Sequence, residues 1–157
     1  MLFSIVIPTR NRPEYLPVAV RSALQQTDAD NIEVIVFDNA SSTHASEVLL
    51  TLDGSKNLRI VRVEEPLPMR DSWETALGLA EGEFVTILGD DDALLPNAVK
   101  VGRELAHIYD VDIIRWDRAH YTWPNNIEQT TSNVCKIPLG RTAYMVDGHK
   151  ALRELGR

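Results

Sequence analysis

The 157-residue chain has the composition of one ordinary globular domain, because 44% of its residues are hydrophobic and 25% are charged; disorder and fibrous repeats are excluded on this basis. Its formal net charge of -7 argues against a nucleic-acid partner, since duplex binding needs clustered Lys and Arg. The single cysteine, Cys135, cannot form an intramolecular disulfide and indicates a reducing compartment, so we expect a cytoplasmic protein.

Apolar runs and helical patterns alternate along the first three quarters of the chain. Runs rich in Ile and Val predict buried strands at residues 3–7, 32–37, 58–63, 84–88 and 112–116. Helical spacing predicts helices beginning near residue 16, at about 43–52 and 72–80, and from near Pro96 through Ala106. This alternation is typical of an α/β fold, a Rossmann-like, mostly parallel sheet with helices on both faces. It fails from about Tyr121, so we divide the chain into residues 1–120 and 121–157.

Polar clusters follow three of the predicted strands. They are Pro8-Thr9-Arg10-Asn11, Asp38-Asn39-Ala40-Ser41 and Gly89-Asp90-Asp91-Asp92. In parallel sheets ligands bind beyond the carboxyl ends of the strands. We therefore expect the three clusters to converge at one edge of the sheet.

The acidic run Asp90, Asp91 and Asp92 is the sharpest of these features. Adjacent carboxylates repel one another, so a site that keeps them ionised benefits from a counter-cation. Mg²⁺ and Mn²⁺ prefer oxygen ligands and usually take one or two carboxylates, with water and phosphate completing the shell. A solvated turn that caps a helix is the alternative for an acidic triplet, but the position at the end of a strand favours the metal.

The other clusters each have a functional and a structural interpretation. Asp38 is suited to accept hydrogen bonds from a base or ribose, or else it caps its loop and the next helix. The segment from Thr9 to Arg12 offers arginines for phosphate, although a surface turn explains Arg12 equally well. Arg70, just ahead of the helix predicted from residue 72, is well placed for a diphosphate, with simple solvent exposure as the alternative.

Two features beside Arg70 are expected to be structural. Asp71 and Glu74 have the spacing of a capping box at the start of the helix. Trp73 lies at helical spacing from Ala76, which predicts that its ring packs in the core.

The three polar segments, in this order and at this spacing, resemble the family 2 inverting glycosyltransferases of the GT-A fold, over about residues 2–106. The resemblance implies that residues 1–120 bind a nucleotide-sugar and that the chain takes part in transferring the sugar, with inversion, to a hydroxyl. It implies that Thr9 and Arg10 line the nucleotide pocket, that Asp38 receives the base, and that Asp90 lies near the ribose. It also implies that Asp91 binds Mn²⁺ or Mg²⁺, with Asp92 sharing that role. We add Pro8 and Arg70 to the expected nucleotide-sugar site. A UDP-sugar is the first expectation for the donor, and a saccharide or lipid-linked molecule of a cell-envelope polysaccharide for the acceptor.

The chain also departs from that family's pattern. Gly89 stands where an aspartate is common, and Trp73-Glu74 stand where Arg-Asn is frequent. No residue after Asp92 fits the catalytic base, so we expect residues 121–157 to be the start of a truncated acceptor-side region. A sugar-phosphate nucleotidyltransferase and a non-catalytic nucleotide-binding module remain as alternatives. A homodimer and peripheral binding at the inner face of the membrane are further options for the whole protein.

Overall fold

The computed structural model describes residues 2–52 and 54–115. Its elements, in chain order, are β1 (Phe3–Thr9), α1 (Leu16–Leu24), a 3-10 helix (Ala29–Asn31), β2 (Ile32–Asn39), α2 (Ala45–Val48), β3 (Leu58–Val63), α3 (Met69–Leu77), β4 (Phe84–Ile87) and α4 (Ala98–Tyr109). The chain divides into two units between residues 104 and 105, and the sheet lies in the first. Within the described residues, none of the helices combines the length and apolar character that crossing a bilayer requires.

The four strands form one parallel sheet in the order β3-β2-β1-β4. Thr9 at the end of β1 is opposite Asp38 of β2, whereas β4 pairs with β1 only as far as Val6 and Ile87. The chain that follows β4 therefore runs alongside the last residues of β1. Because of this register, the acidic run lies next to Thr9.

Alternate residues of the central strands point to opposite faces of the sheet, and both faces are covered. Ile5 and Val34 pack with α1, α2 and Val99 of α4 on one face. Val6 and Ile35 pack with α3 on the other. The predicted α/β fold, with a parallel sheet and helices on both faces, is confirmed.

Several predicted elements differ from the observed ones. The helix expected at 43–52 is limited to Ala45–Val48 and continues as turns. The strand expected at 112–116 is absent from residues 112–115, and residue 116 lies outside the described residues, as does the boundary at residue 120. Pro96 lies two residues ahead of α4.

Helix α3 begins at Met69, three residues before its predicted start. Pro68 is extended, and its carbonyl accepts the first helical hydrogen bond from the Ser72 amide at 2.9 Å. This earlier start places Asp71 inside the first turn, so the capping box with Glu74 is wrong. The buried face centres on Ser72 and Ala76, whereas Trp73 is 41% exposed, so the prediction that Trp73 packs in the core is also wrong.

Candidate functional site

A hydrogen bond joins the loop after β1 to the acidic run after β4. The Thr9 hydroxyl donates to Asp90 Oδ2 at 2.8 Å, and the backbone amide of Arg10 also donates to the Asp90 carboxylate. Burial raises the pKa of Asp90 above its usual range, although the Thr9 hydrogen bond and the charge of Arg12 oppose the rise. The expected convergence of these two loops is confirmed, and Asp90 is the half-buried, fixed member of the acidic run.

Asp91 and Asp92 are the exposed members of the run. A Cβ on Gly89 would lie 2.7 Å from Asp92 Oδ2 and 3.3 Å from Asp91 Oδ1. The two carboxylates therefore turn toward the space that a side chain at Gly89 would fill. The Arg12 guanidinium contacts the other oxygen of Asp91, with 3.5 Å between Nη1 and Oδ2.

The donor chemistry of Asp91 and Asp92 suits a hard divalent cation. In the part of the chain that the structure describes, no three His, Cys, Asp or Glu side chains form a ready-made cage for a metal ion. Mg²⁺ and Mn²⁺ in phosphate-binding sites usually take only one or two carboxylates, and substrate phosphate and water supply the other ligands. Two exposed carboxylates turned toward one space fit this partial donor set.

Asp38 is buried and hydrogen-bonded within the fold. Its Oδ1 accepts from the Ser41 amide at 2.9 Å, and its Oδ2 accepts from the Ala45 amide at 3.0 Å and from Arg62 Nη1 at 2.8 Å. Burial acts to raise the pKa of Asp38, but the hydrogen bonds from Ser41, Ala45 and Arg62 outweigh it and hold the pKa below its usual range. The carboxylate thus fixes the loop after β2 and the start of α2, as its capping interpretation requires.

Asn11 connects the loops after β1 and β2. Its backbone lies in the left-handed region with φ 55°, and its backbone amide donates to Ser41 Oγ at 3.0 Å. Its side-chain Oδ1 accepts from the backbone amide of Ser42 at 2.8 Å. Asparagine tolerates this conformation better than most residues, which is the only signal in the sequence for such a role. The two loops, with the first residue of α1 and residues of α2, enclose a small pocket lined by Thr9, Asn11, Arg12, Pro13, Leu16, Ser41, Ser42, Thr43, Ala45 and Val48.

Asn39, expected only as a member of the polar cluster after β2, has a structural role as well. Its side-chain amide makes a pair of hydrogen bonds with the backbone of Leu67. Nδ2 donates to the Leu67 carbonyl at 2.9 Å, and Oδ1 accepts from the Leu67 amide at 2.8 Å. Because Leu67 precedes α3 by two residues, this pair fixes the segment that leads into the helix.

The remaining predicted residues lie in different surroundings. Pro8 is buried within β1, and Arg10 is exposed directly after the strand. Arg70 is in the first turn of α3, exposed, and its Nε pairs with Glu74 Oε1 at 3.1 Å. The arginine whose guanidinium reaches the acidic run is Arg12, whereas the resemblance implied Arg10 for the nucleotide pocket.

Comparison with known proteins places these features in a family. The family model described as glycosyl transferase family 2 matches residues 4–152. The GalNAc(5)-diNAcBac-PP-undecaprenol beta-1,3-glucosyltransferase of Campylobacter jejuni is 32% identical over 68% of this chain and 36% of its own length. Glycosyltransferase GlyG of Streptococcus pneumoniae is 27% identical over 72% of this chain and 38% of its own length.

Solved structures give the same result. TarS of S. aureus, in complex with UDP, matches 70% of this chain and 33% of its own at 26% identity, with a TM-score of 0.63. The mannosyltransferase PcManGT of Pyrobaculum calidifontis, in complex with GDP-Man and Mn²⁺, matches 62% of this chain and 31% of its own at 26% identity, with a TM-score of 0.55. The chain spans about two fifths of the length of the curated relatives it matches. It belongs to glycosyl transferase family 2.

Proposed function

We propose that this chain is the donor-binding part of an enzyme that transfers a sugar, with inversion, from a nucleotide-diphosphate sugar to an acceptor hydroxyl. The observation that carries the proposal is the 2.8 Å hydrogen bond from Thr9 to Asp90, which holds the acidic run against the end of β1, where Thr9 and Arg12 also line the small pocket. Structures of the similar TarS with UDP and with UDP-GlcNAc support a UDP-sugar as donor. The Campylobacter jejuni relative, named for a PP-undecaprenol substrate, supports a saccharide or lipid-linked acceptor.

Each part of the site has a proposed task. Asp90, held by Thr9, accepts a hydrogen bond from a ribose hydroxyl, and Asp38 keeps the wall of the pocket in place through Ser41. Asp91, with Asp92, would hold Mn²⁺ or Mg²⁺. When bound, the ion neutralises charge that develops on the leaving diphosphate. We assign no catalytic base to this chain; a carboxylate in the rest of the enzyme would take the proton of the acceptor.

Calorimetry tests this proposal through the metal dependence of nucleotide binding. We expect UDP to bind at least about tenfold more tightly with saturating Mn²⁺ than without it, because an ion held by Asp91 would attract the negative diphosphate. Asp91→Asn should lose most of that gain. Asp30→Asn is the matched control, because Asp30 is an exposed aspartate ahead of β2 at the opposite edge of the sheet. An affinity for UDP that neither Mn²⁺ nor Asp91→Asn changes would refute the proposal.

A further inference from the structure

The guanidinium of Arg12 contacts a carboxylate, that of Asp91, and an aromatic ring, that of Tyr15. Its Nη1 is 3.5 Å from Asp91 Oδ2, and both side chains are 48% exposed. Its central carbon is 5.9 Å from the centre of the Tyr15 ring, within the range of a cation–π contact. Ion pairs this exposed contribute little to stability and exchange easily with solvent or another partner. Arg12 is therefore held near the acidic run without being fixed to it.

The contact with Asp91 puts Arg12 in competition with a metal ion. A divalent cation on the Asp91 carboxylate meets the positive charge of Arg12 at close range, and the two cations repel each other. A diphosphate reverses the situation, because its negative oxygens attract both cations and suit the planar fork of arginine. The same side chain thus opposes the metal alone and favours the metal together with a nucleotide.

We propose that Arg12 changes partner when the donor binds, from Asp91 to the diphosphate of the nucleotide. The inference rests on the proposed function, in which Asp91 is the leading metal ligand. Arg12 then couples the two ligands: it keeps the affinity for the free ion low and raises the affinity for the nucleotide once the ion is present. It is a diphosphate-binding residue, whereas Arg10 supplies a backbone amide to Asp90.

Arg12→Gln should have opposite effects on the two ligands. Mn²⁺ alone should bind about two- to fivefold more tightly, which is the gain expected when an exposed cation leaves its partner carboxylate. UDP with saturating Mn²⁺ should bind about tenfold or more weakly, because a charge-assisted bond to phosphate is lost. Uridine, which has no phosphate, should bind as it does to the unchanged protein.

Two further variants separate charge from structure. Arg12→Lys keeps the positive charge but not the planar fork, so it should retain the low affinity for Mn²⁺ alone and lose part of the affinity for UDP. Arg21→Gln is the matched control, because Arg21 is an exposed arginine in the last turn of α1, and it should leave all three titrations unchanged.

Titration calorimetry with MnCl₂, UDP and uridine decides the matter. Opposite shifts for MnCl₂ and UDP in Arg12→Gln support the exchange of partners. If the unchanged protein binds UDP but Arg12→Gln weakens Mn²⁺ binding, or leaves UDP binding unaltered, the exchange is overturned and the proposed function stands. If the unchanged protein binds no UDP in the presence of Mn²⁺, the proposed function fails and the exchange fails with it.

Discussion

Replacing Gly89 by alanine should weaken metal binding without unfolding the protein. The added Cβ would lie 2.7 Å from Asp92 Oδ2 and 3.3 Å from Asp91 Oδ1, so at least the Asp92 carboxylate must move. Asp92 is exposed and its carboxylate is the free end of a side chain, which makes this movement easy. Gly89 is not among the residues with positive φ in the described part of the chain, so alanine fits the backbone.

The free energy of unfolding should therefore change by less than about 1 kcal/mol, and toward stabilisation if alanine restricts the unfolded chain. The affinity for Mn²⁺ in the presence of UDP should fall by about tenfold, the lower end of the loss seen when the arrangement of metal ligands is disturbed. Urea unfolding measures the first quantity and calorimetry measures the second. The two readouts separate damage to the site from damage to the fold.

Gly82→Ala is the matched comparison, because its contacts are equally short but involve backbone. A Cβ on Gly82 would lie 2.6 Å from Ser4 Oγ, 2.8 Å from Ser4 N and 2.9 Å from Leu2 O. The Gly82 amide also donates to Ser4 Oγ at 2.8 Å, a bond that the clash would disturb. We expect a loss of about 2–4 kcal/mol in the free energy of unfolding. If Gly89→Ala destabilises as much as Gly82→Ala, or keeps full Mn²⁺ affinity, then Asp91 and Asp92 do not hold the metal in the space beside Gly89.

Two further predictions concern residues that support the site. Asp38→Asn should lower the free energy of unfolding near pH 7 by about 2–4 kcal/mol, because Arg62, mostly buried, loses its buried carboxylate partner and keeps, among the described residues, only the exposed carboxylate of Glu64 at 3.7 Å. The pKa of Asp38 is held below that of an unfolded aspartate. The stabilisation that its carboxylate provides is therefore complete above about pH 4 and is lost as the pH falls through the folded pKa. Urea unfolding should show the stability difference between the two proteins shrinking below about pH 4, and a difference independent of pH would contradict this. Gln26→Ala should cost about 1–3 kcal/mol in the same assay, because the side-chain amide of the buried Gln26 makes three hydrogen bonds. It donates to the carbonyls of Ser22 at 3.0 Å and Leu95 at 2.9 Å and accepts from the Val99 amide at 3.1 Å. An unchanged stability would show that solvent replaces these bonds.

Local pattern predicted most of the strands and the place of the site. Strand β3 has the predicted bounds, Leu58–Val63, and β1 and β2 each extend two residues beyond theirs. Those extra residues, Pro8 and Thr9 in β1 and Asp38 and Asn39 in β2, are polar or lack an amide proton, so an apolar pattern could not include them. They are nevertheless strand because each pairs in register with its neighbour.

Local pattern failed where packing decided the outcome. Ser72 and Trp73 both lie at helical spacing from Ala76, so spacing alone does not decide which of them is buried. The contacts of α3 with β1 and β2 set the buried side of the helix. Ser72 is 3% exposed and Trp73 is 41% exposed, so a rotation of one residue about the helix axis separates core from surface.

The sequence by itself determined the parallel sheet, because the alternation of apolar runs and helical patterns predicts it. It also determined that the polar loops and the acidic run lie at the carboxyl ends of the strands, because parallel strands all run in one direction. Only the tertiary structure decided which charges meet there. Arg12 reaches Asp91 across 79 positions of the chain, while Asp38 turns inward to Arg62. Such contacts depend on strand register and on the direction of individual side chains, neither of which a pattern of neighbouring residues records.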